Sequence, residues 1–298
     1  MPENVEVSTE SHWDREISVY KGSMPEIVLP YVHRCTICDM IIQKRSVCRE
    51  DKMELNYKLK IAYDGTRYFG WERQPGRETI QGKLEAVLCR MCGTDMVDVI
   101  GAGRTDAGVH AKAMTASVRL ETSLSEIQIR DYLNRYLPED ISVTEVKVAS
   151  ERFHARYKAV GKTYCYTVFD GPVKPVFNRR YYTPLEKEVD VERMRKAAEY
   201  LVGEHDYKSF CGNPKMKKST VRMVDKIQIR RNKGYVIFTF HGTGFLQNMI
   251  RILVGTLLEV GNGKKEPEEM PAILEACDRQ AAGYTAPAKG LCLIRVDY

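Results

Sequence analysis

Between Tyr57 and Tyr63 apolar and polar positions alternate. The stretch "YKLKIAY" sets Tyr57, Leu59, Ile61 and Tyr63 on one face and Lys58 and Lys60 on the other, the period-two pattern of a half-buried strand. The period then lengthens. Ile80, Leu84, Val87, Leu88 and Met91 recur at three- and four-residue intervals and predict a helix over 79–92. The run "MVDVI" at 96–100 reads as a strand, as does "AKAMTASVRL" at 111–120, where Met114, Ala116, Val118 and Leu120 alternate with Thr115, Ser117 and Arg119. A helix around 125–137 and a strand around 141–149 follow. The order strand, helix, strand, strand, helix, strand is the split βαβ signature.

The rest of the chain varies that plan. A strand is predicted at roughly 158–169, then a helix over 191–202 with Asp190 as N-cap and Gly203 as its stop. "TVRMVDKIQIRR" and "YVIFTFHG" form a hairpin around Asn232-Lys233-Gly234. A helix over 245–260 buries Leu246, Met249, Ile250, Leu253 and Leu257, a shorter one lies near 267–277, and "LCLIRVDY" is a last strand. The fold class is α+β, with two ferredoxin-like (split βαβ) halves whose antiparallel sheets lie side by side around a central cleft. The predicted division is an extension over 1–54, a first α+β domain over 55–155 and a second over 156–298.

Composition narrows the class. An apolar fraction of 43% and a charged fraction of 29% are those of a globular protein. No apolar run approaches a membrane span and no signal segment is visible, which predicts a cytoplasmic protein without a membrane partner. Nine scattered cysteines, an odd number, argue for a reducing compartment over a disulfide framework. The net charge of +6 is uneven: residues 1–54 carry 7 basic against 10 acidic residues, the remainder 39 against 30. A body at +9 suits an anionic partner such as RNA.

The first 54 residues show no sustained periodicity. Three interpretations stand: a loosely attached extension, a zinc site using His33, Cys35, Cys38 and Cys48 of "HRCTICDMIIQKRSVC", or an upstream start with Met53 the true beginning. Cys89 and Cys92 do not complete such a zinc site, because they continue the 79–92 helix pattern. The extension is expected to be metal-free.

The stretch "GAGRTDAGVHA", 101–111, crowds three glycines around Arg104, Thr105 and Asp106. It lacks the last glycine of a dinucleotide fingerprint and has no Walker lysine. Alone, Asp106 reads as a turn residue bonded to its own backbone. In context it does not stand alone, for "GRTDAGVHA" resembles the signature of the TruA family, tRNA pseudouridine synthases that modify the anticodon stem-loop. "YDGTRYFGWERQ", "FHARYKAVGKTYCY", "KKSTVR", "GTGFLQNMIRILVGTLLEVG" and "KGLCLIRVDY" follow the family in order. Residues 1 to about 54 lie outside the resemblance.

That resemblance implies an isomerase that needs no cofactor, acting on uridines 38, 39 and 40 of tRNA, as a homodimer bridged by its substrate. Asp106 matches the catalytic nucleophile and Arg251 the cation beside it. From its helix alone, Arg251 sits with Gln247 and Asn248 on a polar face and reads as a surface arginine. Tyr164 matches the tyrosine that stacks on the target uracil, although strand alternation points Tyr164 and Tyr166 the same way, so that either is also a core candidate. Leu291 is expected on the other side of the base, and next to it Cys292 replaces the family's usual aromatic. Arg104 resembles the arginine that fills the gap left by an extruded base. Arg67, Arg73 and Arg77 among Tyr68, Phe69 and Trp71, and the loop with Lys215, Lys217 and Lys218, form basic clusters suited to RNA contact.

Overall fold

One edge of a single strand, His110–Glu121, is where the two halves of this protein meet. The computed structural model describes residues 54–213 and 215–298. The zinc interpretation of His33, Cys35, Cys38 and Cys48 falls outside the described residues.

The first half runs β1 (Glu54–Tyr63), α1 (Ile80–Cys92), β2 (Ile100–Gly101), β3 (His110–Glu121), α2 (Glu126–Tyr136) and β4 (Ile141–Val148). Its strand order is β4-β1-β3-β2, all antiparallel. The second half runs β5 (Gly161–Phe169), β6 (Thr183–Pro184), α3 (Val191–Glu199), β7 (Gly203–Asp206), β8 (Val221–Asn232), β9 (Tyr235–Gly242), α4 (Met249–Gly261), α5 (Met270–Glu275) and β10 (Leu291–Asp297). There β10-β5-β9-β8 repeats the same order, with β7 added beyond β8 and the short β6 beside β5. Both halves are therefore ferredoxin-like. Their sheets are continuous: β10 lies parallel to β3 through the pairs Cys292–His110 and Leu293–Ala111, and β2 takes a separate part of β3 through Ile100–Ser117 and Gly101–Ala116.

Local signals explain the helices. Thr79 caps α1 by accepting from the Gly82 N–H, and Gly93, at φ 68°, ends it. Ser125 and Gln128 form a reciprocal capping box on α2. Leu84 and Leu88 of α1, Ile129 and Leu133 of α2, and Leu59 and Ile61 of β1 are fully buried together in one core. In the second half α4 is buried almost all round, at Ile252, Leu253, Val254, Leu257, Leu258 and Val260, and α3 adds Met194, Ala197 and Ala198. A helix apolar on nearly every face belongs in the middle of a core.

Three predicted elements are corrected. The strand at 96–100 shrinks to β2, because the Val99 N–H donates to the Glu85 carboxylate (3.1 Å) and not to a neighbouring strand. The helix over 245–260 starts at Met249. Asn248, at φ 57°, is left-handed and cannot continue a right-handed helix upstream, while the Gln247 carbonyl accepts from Gly212 (2.8 Å). Gln247 and Asn248 thus belong to a turn, and Arg251 is the third residue of α4. The helix over 191–202 stops at Glu199, since Gly203 opens β7, a strand the sequence pattern does not announce.

Candidate active site

Between β2 and β3 the chain makes the Ala102–Val109 loop, and its shape is imposed from outside. The Ala102 N–H donates to Thr115 (2.8 Å), the Trp71 N–H to the Thr105 carbonyl (3.0 Å) and the Gly108 N–H to Tyr68 (3.2 Å). The Tyr63 hydroxyl and Thr105 Oγ1 share a buried hydrogen bond of 2.8 Å. Two glycines allow the approach. Gly70, at φ 91°, lies so close that a Cβ would sit 2.6 Å from the Thr105 carbonyl oxygen, and a Cβ on Gly101 would sit 2.5 Å from the buried Trp71 indole. Asp106, at the centre of this clamp, points into an open cleft of about 790 Å³.

The cation expected beside it is there. Arg251 Nη1 lies 3.8 Å from Asp106 Oδ2. Arg251 is itself fixed from two sides: Nε donates to the Ala286 carbonyl (2.7 Å) and Nη1 to Asn248 Oδ1 (2.9 Å). Burial raises the Asp106 carboxyl above its ordinary pKa, and Arg251 opposes the rise without cancelling it.

Tyr164 of β5 and Leu291 of β10 line the same cleft. Phe245 meets Tyr164 edge to face at 5.4 Å between centroids. The ambiguity between the two tyrosines is resolved by their partners. Tyr166 is fully buried and its hydroxyl engages Thr183 (2.8 Å) and the Pro287 carbonyl (2.7 Å), so it is core, and Tyr164 faces the cleft. Burial, then the Asp106 charge, pushes the Tyr164 phenol far above its ordinary pKa. It stays protonated near neutrality. Cys292 alternates to the opposite face from Leu291, paired in register with Cys165, and is not part of the cleft wall.

The basic residues divide. Arg104 stands at the rim in an ion pair with Glu72 (3.0 Å), both side chains exposed. Arg77 lies 4.6 Å over the Phe69 ring and, like Lys218, lines the cleft. Arg67 turns away to Asp140 and Tyr68, and Arg73 pairs with Glu85 (3.2 Å). Lys215 and Lys217 are exposed on the loop leading to Lys218. Sequence reasoning did not single out Lys162, Arg156, Arg222, Phe245 or Asn248 as site residues, although all five line the cleft and the last also orients Arg251. For Lys162 a signal existed, for it lies two residues before Tyr164 and shares its face of β5.

Among the described residues no group of three or more His, Cys, Asp and Glu is placed to hold a metal, and no helix is long and apolar enough to cross a membrane. The cleft thus combines a carboxylate beside a fixed cation, an aromatic and an aliphatic wall, and a rim on which Arg104 pairs with Glu72. The family description "tRNA pseudouridine synthase" matches residues 60–158 and 197–298. A protein of Bacillus sp. (strain KSM-64) named tRNA pseudouridine synthase A is 47% identical over 244 residues, covering 82% of this chain and 99% of its own. Proteins named tRNA pseudouridine synthase A 2 from Bacillus anthracis and Clostridium perfringens (strain 13 / Type A) are 43% and 40% identical, with the same coverage of both chains. The chain belongs to the tRNA pseudouridine synthases, in the TruA family whose motifs it carries.

Proposed function

We propose that this protein converts uridine to pseudouridine at positions 38, 39 and 40 of the tRNA anticodon stem-loop, with Asp106 as the nucleophile. One observation carries the assignment: Asp106 is held by its loop in the cleft, 3.8 Å from a cation that makes its hydrogen bonds to other groups. Family membership supports the substrate class.

The reaction exchanges one glycosidic bond for another. The bond from C1′ to N1 of uracil breaks, the base turns while bound, C1′ joins C5, the C5 proton leaves and N1 gains one. Asp106 forms the transient bond to the nucleotide, at C1′ or at the uracil ring, and releases it when the new bond is made. Arg251 keeps that carboxylate ionised. Tyr164 and Leu291 hold the base between an aromatic and an aliphatic surface, and Tyr164 assists removal of the C5 proton. A stacked uridine has to leave its helix first, and Arg104 at the rim occupies the space it vacates.

The first domain, 55–155, supplies Asp106 and Arg104, and the second, 156–298, supplies Tyr164, Arg251 and Leu291. A homodimer in the cytoplasm, with one tRNA laid across both subunits, completes the proposal; Arg67, Arg73, Arg77, Lys215, Lys217 and Lys218 make its phosphate contacts. The test is direct. Purified protein is incubated with an unmodified tRNA transcript carrying uridines at 38, 39 and 40, and pseudouridine is mapped at each nucleotide. Modification confined to those positions is expected. Pseudouridine only elsewhere in the RNA overturns the site assignment, and none at all overturns the activity.

A further inference from the structure

Lys162 is a half-buried cation without a counter-ion. Among the described residues its ammonium makes no hydrogen bond or ion pair, and Asp106 of the same cleft pairs with Arg251 instead. The neighbour it feels is another cation, Arg156. Burial and then Arg156 bring the Lys162 ammonium down to about 8. The other charged or titratable groups lining the cleft are Glu72, Arg77, Arg104, Tyr157, Tyr164, Lys218 and Arg222; the acid among them, Glu72, is paired with Arg104 at 3.0 Å. Two adjacent cations that repel each other in a partly dehydrated cleft are costly unless an anion joins them.

The position says which anion. Lys162 Nζ lies 3.5 Å, and the Tyr164 hydroxyl 3.8 Å, from the point a Cβ would occupy on Gly103, so the missing side chain leaves a passage flanked by both. Their Cα atoms, two residues apart on one face of β5, are about 7 Å apart, close to the length of one nucleotide unit. Uracil is neutral and cannot satisfy two cations. A nucleotide whose base rests on Tyr164 carries a phosphodiester on either side of its ribose, and swinging the base out of its stack brings those groups to the cleft.

Resting on the proposed base-modifying function, we infer that Lys162 and Arg156 form the binding site for a backbone phosphate adjoining the uridine held on Tyr164. The pair acts in holding the extruded nucleotide and takes no part in bond exchange. Lysine offers a point charge with three donors, and arginine a planar fork, a combination suited to the oxygens of one phosphate.

The experiment uses the full chain and a hairpin RNA with the target uridine in its anticodon stem, in three forms: unmodified, with one uncharged methylphosphonate linkage 5′ to that uridine, and with the same linkage 3′ to it. Wild type, Lys162→Met and Lys162→Arg are compared, their folding checked by thermal unfolding. Lys162→Met is expected to bind the unmodified hairpin on the order of tenfold more weakly and to lower the salt slope by about one. With one of the two uncharged linkages, wild type and Lys162→Met should bind alike. Wild-type affinity should fall as pH rises through the ammonium's titration, and Lys162→Arg should remove that fall while keeping affinity. Equal binding of the unmodified hairpin by wild type and Lys162→Met, or a deficit that persists with both uncharged linkages, overturns the inference. Pseudouridine formation by wild type on the unmodified hairpin is followed in parallel. Its absence would refute the proposed function without touching the phosphate result.

Discussion

Arg251 comes within 3.8 Å of Asp106 yet gives its shorter hydrogen bonds to Ala286 and Asn248. The cation is thereby fixed independently of the carboxylate it serves. A short bidentate pair would hold Asp106 firmly and blunt it as a nucleophile. At this spacing the charge favours ionisation while both carboxylate oxygens stay available.

Replacing Arg251 should therefore move a pH profile. If Asp106 is the proposed nucleophile, turnover needs its ionised form and falls as pH drops through that group's pKa, which burial already places above the ordinary 3.8. Arg251→Met removes the influence opposing burial and raises the pKa further. The acid limb of the turnover profile should shift to higher pH, and Arg251→Lys should bring part of it back. An unshifted limb in Arg251→Met would show that another group sets it.

Asp106→Asn should separate activity from stability. Pseudouridine formation should become undetectable while tRNA affinity stays within about tenfold. A carboxyl whose pKa is raised by folding contributes stability that is complete below its unfolded pKa and lost as pH rises through the folded value. Ionised Asp106 thus weakens the native state near neutrality, and asparagine does not. The variant should melt at or above wild type at pH 7, with the gap closing as the buffer is taken toward about pH 4. A variant that unfolds would return Asp106 to the role of a turn residue.

Tyr164 should report the charge on Asp106. Its phenol is raised by burial first and by Asp106 second, so Asp106→Asn should lower its titration toward the ordinary value. Phenolate absorbance, with Tyr164→Phe in each background as the blank, measures this. Covalent attachment of substrate also removes the Asp106 charge, so the same coupling would make the Tyr164 phenol easier to ionise once the nucleotide is bound. An identical titration in both backgrounds would remove that link.

At the rim, Arg104 and Glu72 form an exposed pair whose worth is about 0–1 kcal/mol. An incoming RNA can therefore take Arg104 from Glu72 at little cost. If Arg104 acts in base extrusion as proposed, Arg104→Ala should depress turnover more than affinity. Loss of affinity alone would make Arg104 one more phosphate contact.

A chain beginning at Met53 should fold and retain full activity, since β1 starts at Glu54 and the family match starts at residue 60. Stoichiometric zinc in the full-length protein, with loss of folding on chelation, would contradict this and assign the early cysteines a structural role.

How much of this was legible in the sequence depends on how local its cause is. The alternation of β1 and the Asp190 cap of α3 are set by neighbours within a few residues, and they read through directly. β2 did not, because the partner of Val99 is a glutamate on α1 and no strand pattern records it. The start of α4 was misplaced because the apolar positions Leu246 and Met249 keep helical spacing across a left-handed Asn248. Period two could not separate Tyr164 from Tyr166, whose difference lies in Thr183 and Pro287. The meeting of Asp106 with Arg251 joins distant parts of the chain, and only the family motifs pointed to it.

The two rungs between β3 and β10 also set a timetable. β10 leaves the ribosome after the other described strands, and it brings Leu291 to the cleft and His110 and Ala111 their parallel partners. Such a contact between early and late segments is among the slowest to form. While the chain is being made, its first half already displays the Asp106 loop but has no second wall to hold a base against. Until the last described strand docks, the cleft lacks its Leu291 wall, and His110 and Ala111 lack their parallel partners.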